Sequence, residues 1–321
     1  MRIDSRPENK SDVRGVGYAV EISPRDSSSP RVSEGISNFE GQPQSVVARR
    51  AISGAPKTSQ LTDRVFLAAN KLQSRGDFDH THRRWDALLR DHVVLINGGH
   101  ASRVDYKKLK SNEAQLDQYL AELSAVSRRQ YNSWSEANRL AFLINAYNAF
   151  TVKLILGPYP GITSIKHFVL PWLQPFFKLF GKPRTLDFIE HRMIRAKFTE
   201  PRIHFAVNCA SIGCPMLAPQ AYVGDALDSQ LEAAAMHFMS DRSRNRYNAQ
   251  KDRLEVSKIF DWFGDDFAKG HHGLNSVQDF MARHAEQLAD TAQGQARIRA
   301  GQVPIDYLDY DWWLNDSCPP I

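Results

Sequence analysis

Cysteine is scarce in this chain, which has only Cys209, Cys214 and Cys318 among its 321 residues. An odd and low count excludes the disulfide framework that holds small secreted domains together. Cys209 and Cys214 are separated by four residues, a spacing found in zinc-ligand pairs, but the second pair that zinc needs is missing. A disulfide between these two cysteines is expected only in an oxidising compartment.

Long apolar runs are also missing. The most apolar stretches, 140–156 and 168–180, are interrupted by asparagine, lysine, glutamine or proline, so we expect no integral membrane segment. The polar start, MRIDSRPENKSDVRG, has no apolar middle of the secretory type. As written, the chain is expected to be cytoplasmic, with export by a non-classical leader as the alternative.

Dense blocks of positive charge do not occur, and the net charge of +5 is spread along the chain. This distribution argues against a nucleic-acid partner. The sequence has no phosphate-binding glycine loop and no dinucleotide fingerprint, so we expect no cofactor. Asp261, Asp265 and Asp266 form an acidic group, but Asp261 falls in the first turn of a predicted helix, where acids suit the helix dipole. We therefore expect no metal site, and an unknown peptide or small molecule remains as the partner.

The chain divides by composition into two parts. Residues 1–60 are rich in serine and proline with almost no periodic apolar pattern, which predicts a disordered leader. Residues 61–321 carry many helical patterns, beginning with 63–73 and 82–94, and a few strand signals, at 203–207, 253–256 and 303–315. This pattern predicts a helix-rich α+β single domain, with a small, mostly antiparallel sheet around a buried central helix.

The central helix is predicted over 133–156. Ser133 and Glu136 have capping-box spacing at its start, and apolar residues surround most of its circumference. Asn145 and Asn148 share a stripe on this helix with Asn138. A buried amide without a partner costs about 1–3 kcal/mol, so these side chains are expected to bond to the backbone, to another buried group or to a ligand.

The segment RIHFAVNCASIGCP, residues 202–215, is the candidate site. Its first half predicts a buried strand, and its second half is a loop of small and polar residues. Cys209 is a candidate nucleophile or a small buried hydrophobe. His204 is a candidate base or a core histidine bonded to an amide such as Asn145 or Asn148. Asp309 and Asp311, near the end of the chain, are candidates to orient an imidazole.

Five segments together resemble the domain of unknown function 547 family: RLAFLINAYNAFTV, TLDFIEHRMIR, RIHFAVNCASIGCPML, IFDWFGDDF and IDYLDYDWWLN. The resemblance extends from about Phe78 to Asn315 and leaves the leader outside. It implies a fold and candidate residues rather than a reaction. The order of a buried helix, a histidine-bearing strand and an aspartate-bearing strand also resembles papain- and transglutaminase-like proteins, although here the helix carries asparagines in place of a nucleophilic cysteine.

Three functions remain open at this point. The first is a thiol-dependent hydrolase or acyltransferase, with Cys209 as nucleophile, His204 as base and Asp311 as orienting acid. The second is a non-catalytic module that binds a peptide or small polar ligand; its candidate binding residues are Asn145, Asn148, Glu190, Asn208 and Ser211, together with His204. The third is a secreted effector or structural protein directed by its leader. The first two require the asparagine face of the central helix to meet the histidine segment beside the cysteine loop.

Overall fold

The computed structural model describes residues 77–168 and 171–318. The predicted leader at 1–60 and the predicted helix at 63–73 lie outside these residues. Ten α-helices occur in the described part of the chain, and short 3₁₀ and π segments lie between them. The α-helices are α1 (Arg83–His92), α2 (Tyr106–Ser111), α3 (Glu113–Ala125), α4 (Arg128–Ser133), α5 (Glu136–Leu156), α6 (Leu227–Ser240), α7 (Ile259–Trp262), α8 (Val277–Arg283), α9 (Ala285–Leu288) and α10 (Ala292–Arg299).

The described strands are short and form three small sheets rather than the single sheet expected. Strands β1 (Val93–Ile96) and β2 (Ala101–Val104) form an antiparallel hairpin, as do β3 (Phe177–Leu179) and β4 (Lys182–Arg184). In the third sheet, β5 (Arg246–Asn248) runs antiparallel to β6 (Arg253–Val256), and β6 pairs in parallel with β7 (Ile305–Tyr307). The predicted helix-rich α+β class is confirmed.

Helix α5 is the buried central helix. Its N-cap is Ser135, two residues after the expected Ser133, because the hydroxyl of Ser135 accepts the N–H of Asn138 at 3.2 Å. Ser133 instead ends α4, and the chain is extended at Trp134 between the two helices. Of the described helices, α5 alone is long and apolar enough to cross a membrane, but 94% of its most apolar window is buried inside the fold. That burial is typical of a core helix.

Two apolar clusters form the core. The larger one surrounds α5 and includes side chains of α1 and α3, whereas the smaller one joins α6, β6, α8 and α9. Residues 201–207 connect the two clusters, because Ile203 and Ala206 pack into the larger cluster and Phe205 into the smaller one. This position fixes the backbone that leads into the cysteine loop.

Candidate functional site

The histidine segment is a 3₁₀ helix, Pro201–Phe205, so the strand predicted at 203–207 is wrong. Proline stands in the first turn, where its missing N–H is not needed, and the carboxylate of Glu200 accepts the N–H of Arg202 at 3.0 Å. The apolar run that suggested a strand is buried on every side by the two clusters. A short and fully buried apolar run has the same sequence signature in either conformation.

The two asparagines of α5 bind backbone groups. Asn145 donates to the carbonyl of Tyr222 at 2.7 Å and accepts its N–H at 3.0 Å. Asn148 donates to the carbonyl of Ala206 at 2.9 Å and accepts the N–H of Asn208 at 2.8 Å. Both side chains are buried. They therefore join the central helix to the backbone of two other segments of the chain, and Asn148 does so at the start of the cysteine loop.

We call residues Asn208–Pro215 the cysteine turn. The side chain of Asn208 accepts the N–H of Ala210 at 2.8 Å and donates to the carbonyl of Pro215 at 2.7 Å, so it ties the two ends of the turn together. Ala210 has a left-handed backbone with φ of 67°. The predicted meeting of the asparagine face, the histidine segment and this turn is present, with Asn148 and Asn208 as the contact.

Cys209 and Cys214 form a disulfide across the turn, with their Cα atoms 6.3 Å apart. The backbone N–H of Cys209 donates to Cys214 Sγ at 2.9 Å, and the hydroxyl of Tyr310 donates to the same sulfur at 3.1 Å. Ser211 donates to the Tyr310 hydroxyl at 3.0 Å and lies 3.2 Å from Cys209 Sγ. In this oxidised form Cys209 has no free thiolate, the group that the predicted nucleophile requires.

His204 is buried, and its partner is Asp266 rather than an asparagine, Cys209 or Asp311. Its Nε2 lies 2.7 Å from a carboxylate oxygen of Asp266, and its ring stacks on Phe263 with centroids 4.2 Å apart. The same carboxylate accepts hydrogen bonds from Arg195 at 2.5 Å and Lys269 at 2.6 Å.

The electrostatics of this pair follow from its burial. Burial lowers the pKa of the His204 imidazole, and the opposing effect of Asp266 is smaller. Burial alone would raise the pKa of the Asp266 carboxyl, but hydrogen bonds from His204, Arg195 and Lys269 outweigh it and hold that pKa well below its usual range. At neutral pH the His204 imidazole is therefore neutral and the Asp266 carboxylate is charged. Two cations, Arg195 and Lys269, bind that carboxylate, so the polar groups of this buried network are hydrogen-bonded.

Asp311 is exposed, and its carboxylate accepts the backbone N–H of Trp313 at 2.9 Å. The structure therefore does not join Cys209, His204 and Asp311 through hydrogen bonds, because each of the three groups is bonded to a different partner.

Glu190 lies on a π-helical turn, Phe188–Ile194, and is buried. It is hydrogen-bonded to the hydroxyl of Tyr147 on α5, which also accepts Nε1–H of Trp172 at 2.8 Å. Burial raises the pKa of Tyr147 well above its ordinary value, and the nearby charge of Glu190 adds to the rise. The π-helical turn thus directs Glu190, a candidate binding residue, towards the central helix.

A cleft of about 620 Å³ lies against the cysteine turn. Its lining comes from the β1–β2 hairpin, from the cysteine turn, from the loop after α6 and from the chain after β7, and includes Cys214 and Tyr310. We call it the turn cleft. Its charged lining includes Arg103 from the hairpin, Arg244 from the loop, and Asp309 and Asp311 from the chain end.

Arg244 fixes the wall of this cleft. Its guanidinium binds Asp241 at 2.7 Å and also donates to the carbonyl of Cys214. Burial would raise the pKa of the Asp241 carboxyl, but the charge of Arg244 and the hydrogen bonds from Ser243 and Arg244 together outweigh it and lower that pKa. Because Arg244 is anchored on both sides, it holds the end of the cysteine turn in place.

The segment that follows β7 is hydrogen-bonded to the cysteine turn. The N–H of Ile212 donates to the carbonyl of Trp313, and the N–H of Gly213 donates to that of Asp311, both at 2.8 Å. Tyr310 reaches the sulfurs from this segment. Within 77–168 and 171–318, no group of three or more histidine, cysteine, aspartate or glutamate side chains is arranged to hold a metal ion.

Sequence reasoning missed Tyr310, Arg244 and Asp266 as parts of the site. Tyr310 and Cys214 are 96 residues apart, Arg244 and Cys214 are 30 apart, and Asp266 and His204 are 62 apart. No local spacing connects such pairs. The available signal was the polar and aromatic alternation of the segment 305–313, which predicted a strand but gave no register against the turn.

Comparison with known proteins supports the family resemblance over the centre of the chain. Residues 131–239 match the model of the family described as protein of unknown function, DUF547. No curated protein and no solved structure matched the chain, so the papain-like layout remains a prediction. The matched segment includes α5, Glu190, the histidine segment and the cysteine turn, whereas Asp266 and Tyr310 follow it.

Proposed function

We propose that this protein binds a short peptide or a similar small polar molecule in the turn cleft, without forming a covalent bond to it. The observation that carries the proposal is the cleft of about 620 Å³ against a turn whose backbone is tied at both ends. Ligand pockets have volumes of about 300–1,000 Å³. A wall that is already ordered loses little entropy when a ligand binds.

The charged lining favours a ligand that carries both signs of charge. Arg103 offers guanidinium donors to a carboxylate, and the exposed carboxylates of Asp309 and Asp311 offer acceptors to an ammonium group. A short peptide with free ends has both groups. The buried candidates Asn148 and Asn208 support this function by shaping the turn, because their amides are bonded to its backbone, whereas Asn145 is bonded to the backbone of Tyr222.

Hydrolysis by a Cys209 thiolate is the less favoured alternative. It requires a reduced Cys209 with an imidazole beside it, whereas Cys209 is bonded to Cys214 and His204 to Asp266. Binding requires neither change.

Ligand-observed NMR with trialanine tests the proposal. We expect saturation transfer to the free-ended tripeptide and much weaker transfer to its N-acetylated, C-amidated form, which lacks both charges. The Arg103→Ala variant should weaken binding by about 10- to 100-fold, the equivalent of one charge-assisted hydrogen bond. Arg129→Ala, at an exposed arginine on α4, is the matched control and should bind like the original protein. Equal transfer to both peptide forms, or no effect of Arg103→Ala, would contradict the proposal.

A further inference from the structure

The two sulfurs of the cysteine pair have different surroundings. Cys214 lines the turn cleft, and its sulfur accepts two hydrogen bonds, from the N–H of Cys209 at 2.9 Å and from the hydroxyl of Tyr310 at 3.1 Å. Hydrogen bonds to a sulfur favour its thiolate form. The anchored guanidinium of Arg244, bound to the carbonyl of Cys214, adds a nearby positive charge.

A purely structural cross-link needs none of these donors. The Tyr310 hydroxyl is itself held by Ser211, which donates to it at 3.0 Å, so the phenolic proton is directed to sulfur. Cys209 Sγ lies 3.2 Å from Ser211 Oγ and 3.3 Å from the Tyr310 hydroxyl, so the Tyr310 hydroxyl is within hydrogen-bond distance of both sulfurs. Donors placed around a sulfur in this way stabilise the thiolate, which is the charged form in which a cysteine reacts.

We propose that Cys209 and Cys214 form a reversible dithiol–disulfide pair that exchanges with the disulfide of a small thiol entering the turn cleft. Cys214 is the attacking sulfur, because it lines the cleft and has the thiolate-stabilising donors. Cys209 is the resolving sulfur. This activity goes beyond ligand binding and does not depend on it, since exchange needs only that one sulfur of the substrate reaches Cys214.

The exchange is balanced in two steps. The Cys214 thiolate attacks one sulfur of the substrate disulfide, so a Cys214–substrate disulfide forms, the substrate S–S bond breaks, and one thiolate leaves and takes a proton from water. Cys209 then loses its proton to water and attacks Cys214 Sγ, which releases the second substrate thiolate. The substrate gains two electrons and becomes two thiols, and the protein loses two electrons and becomes the disulfide. The reverse sequence, with a small thiol as reductant, returns the dithiol.

Oxidised glutathione is a suitable probe, and Cys318→Ser is the background for every variant because Cys318 is an exposed free cysteine. In that background, Cys209→Ser leaves Cys214 without its resolving partner and should accumulate a mixed disulfide, measured by intact mass spectrometry. Cys214→Ser should form the adduct at least about tenfold more slowly, as expected for a thiol with less thiolate at the working pH. Tyr310→Phe combined with Cys209→Ser should move adduct formation to higher pH.

Equal adduct rates in the two cysteine variants would overturn the assignment of Cys214. If the Cys318→Ser protein keeps its disulfide in millimolar reduced glutathione under native conditions, the pair is a structural cross-link and the proposal is wrong. Should a serine variant fail to fold, partial reduction of the Cys318→Ser protein followed by iodoacetamide gives the same answer, with Cys214 alkylated first. Tripeptide binding is measured on the oxidised Cys318→Ser protein, so that a failure of the exchange proposal can be distinguished from a failure of the binding proposal.

Discussion

Gly213 of the cysteine turn packs closely against the segment that follows β7. A Cβ atom at this position would lie 2.9 Å from the ring of Tyr310 and 3.0 Å from the backbone nitrogen of Asp311. The nitrogen cannot move without loss of the hydrogen bond from Gly213 to the carbonyl of Asp311. The absence of a side chain at Gly213 therefore allows Tyr310 to reach the sulfurs.

Gly213→Ala should lower the free energy of unfolding by about 1–3 kcal/mol, the usual cost of forcing atoms into a packed site. Gly264→Ala is the matched control, because its Cβ would have an ordinary 3.6 Å contact with Val277. Urea unfolding of both variants measures the difference. Equal stabilities for the two variants would show that Tyr310 moves aside freely.

At the scale of elements, α5 is held by polar contacts on two sides. On one side Asn148 binds the backbone at the entrance of the cysteine turn. On another, the buried ammonium of Lys153 lies 2.8 Å from a carboxylate oxygen of Glu113 and also pairs with Asp117, both on α3. An otherwise apolar helix thus obtains a defined register against its neighbours.

Asn148→Ala should destabilise the fold by about 2–4 kcal/mol, because the carbonyl of Ala206 and the N–H of Asn208 would both lose their buried partner. Asn132→Ala, on the exposed side of α4, controls for the change of residue type and should have little effect. Chemical unfolding compares the two. A loss below about 0.5 kcal/mol, the range of ordinary surface substitutions, would mean that water satisfies both groups.

Lys153→Met keeps the length of the side chain but removes the charge that pairs with two carboxylates. The expected loss is about 3 kcal/mol, close to the cost of breaking a buried ion pair on one side. Lys107→Met on α2, at an exposed lysine, is the control. In the double variant with Glu113→Gln, the loss should be smaller than the sum of the two single losses, and additive losses would show that the pair is not coupled.

The elements that sequence predicts well are those whose apolar spacing is regular. Trp85, Leu88 and Leu89 fix α1, and the apolar circumference of 136–156 fixes α5. The start of α5 was misplaced because Ser133 and Ser135 both offer a capping hydroxyl, and packing of Trp134 against Phe142 decides between them. Helix boundaries of this kind depend on tertiary contact.

The long strand predicted at 303–315 shortens to β7 for a related reason. After Ile305–Tyr307 the chain leaves the sheet, and from Asp311 to Leu314 its backbone hydrogen bonds are made to the cysteine turn and to residues 163–165. The alternating pattern is present, but the partner of each residue is a distant loop. Sequence therefore located the asparagines, the histidine and the cysteines, while their actual partners depended on contacts between remote segments.

At the scale of the whole molecule, buried histidines predict that acid destabilises the fold. The pKa of His82 falls to about 3, mainly because of burial and in part because of the charge of His80, and the charge of Asp79 partly opposes the fall. Burial also lowers the pKa of His204 and His284. In the unfolded chain these imidazoles regain an ordinary pKa near 6.5, so below that pH the unfolded state binds more protons and stability falls as pH falls.

His82 provides the sharpest test of this dependence. Its pKa shift alone should lower the free energy of unfolding by about 2 kcal/mol between pH 7 and pH 5. His82→Asn removes the titration, and asparagine tolerates the left-handed backbone at this residue, where φ is 48°. The variant loses the hydrogen bond to Tyr119 at both pH values, so the difference between pH 7 and pH 5 is the quantity to compare.

His272→Asn, at an exposed histidine with φ of 46°, controls for the backbone and should keep the original difference. Urea unfolding at the two pH values measures it, and an undiminished difference in His82→Asn would assign the acid sensitivity to the other buried histidines.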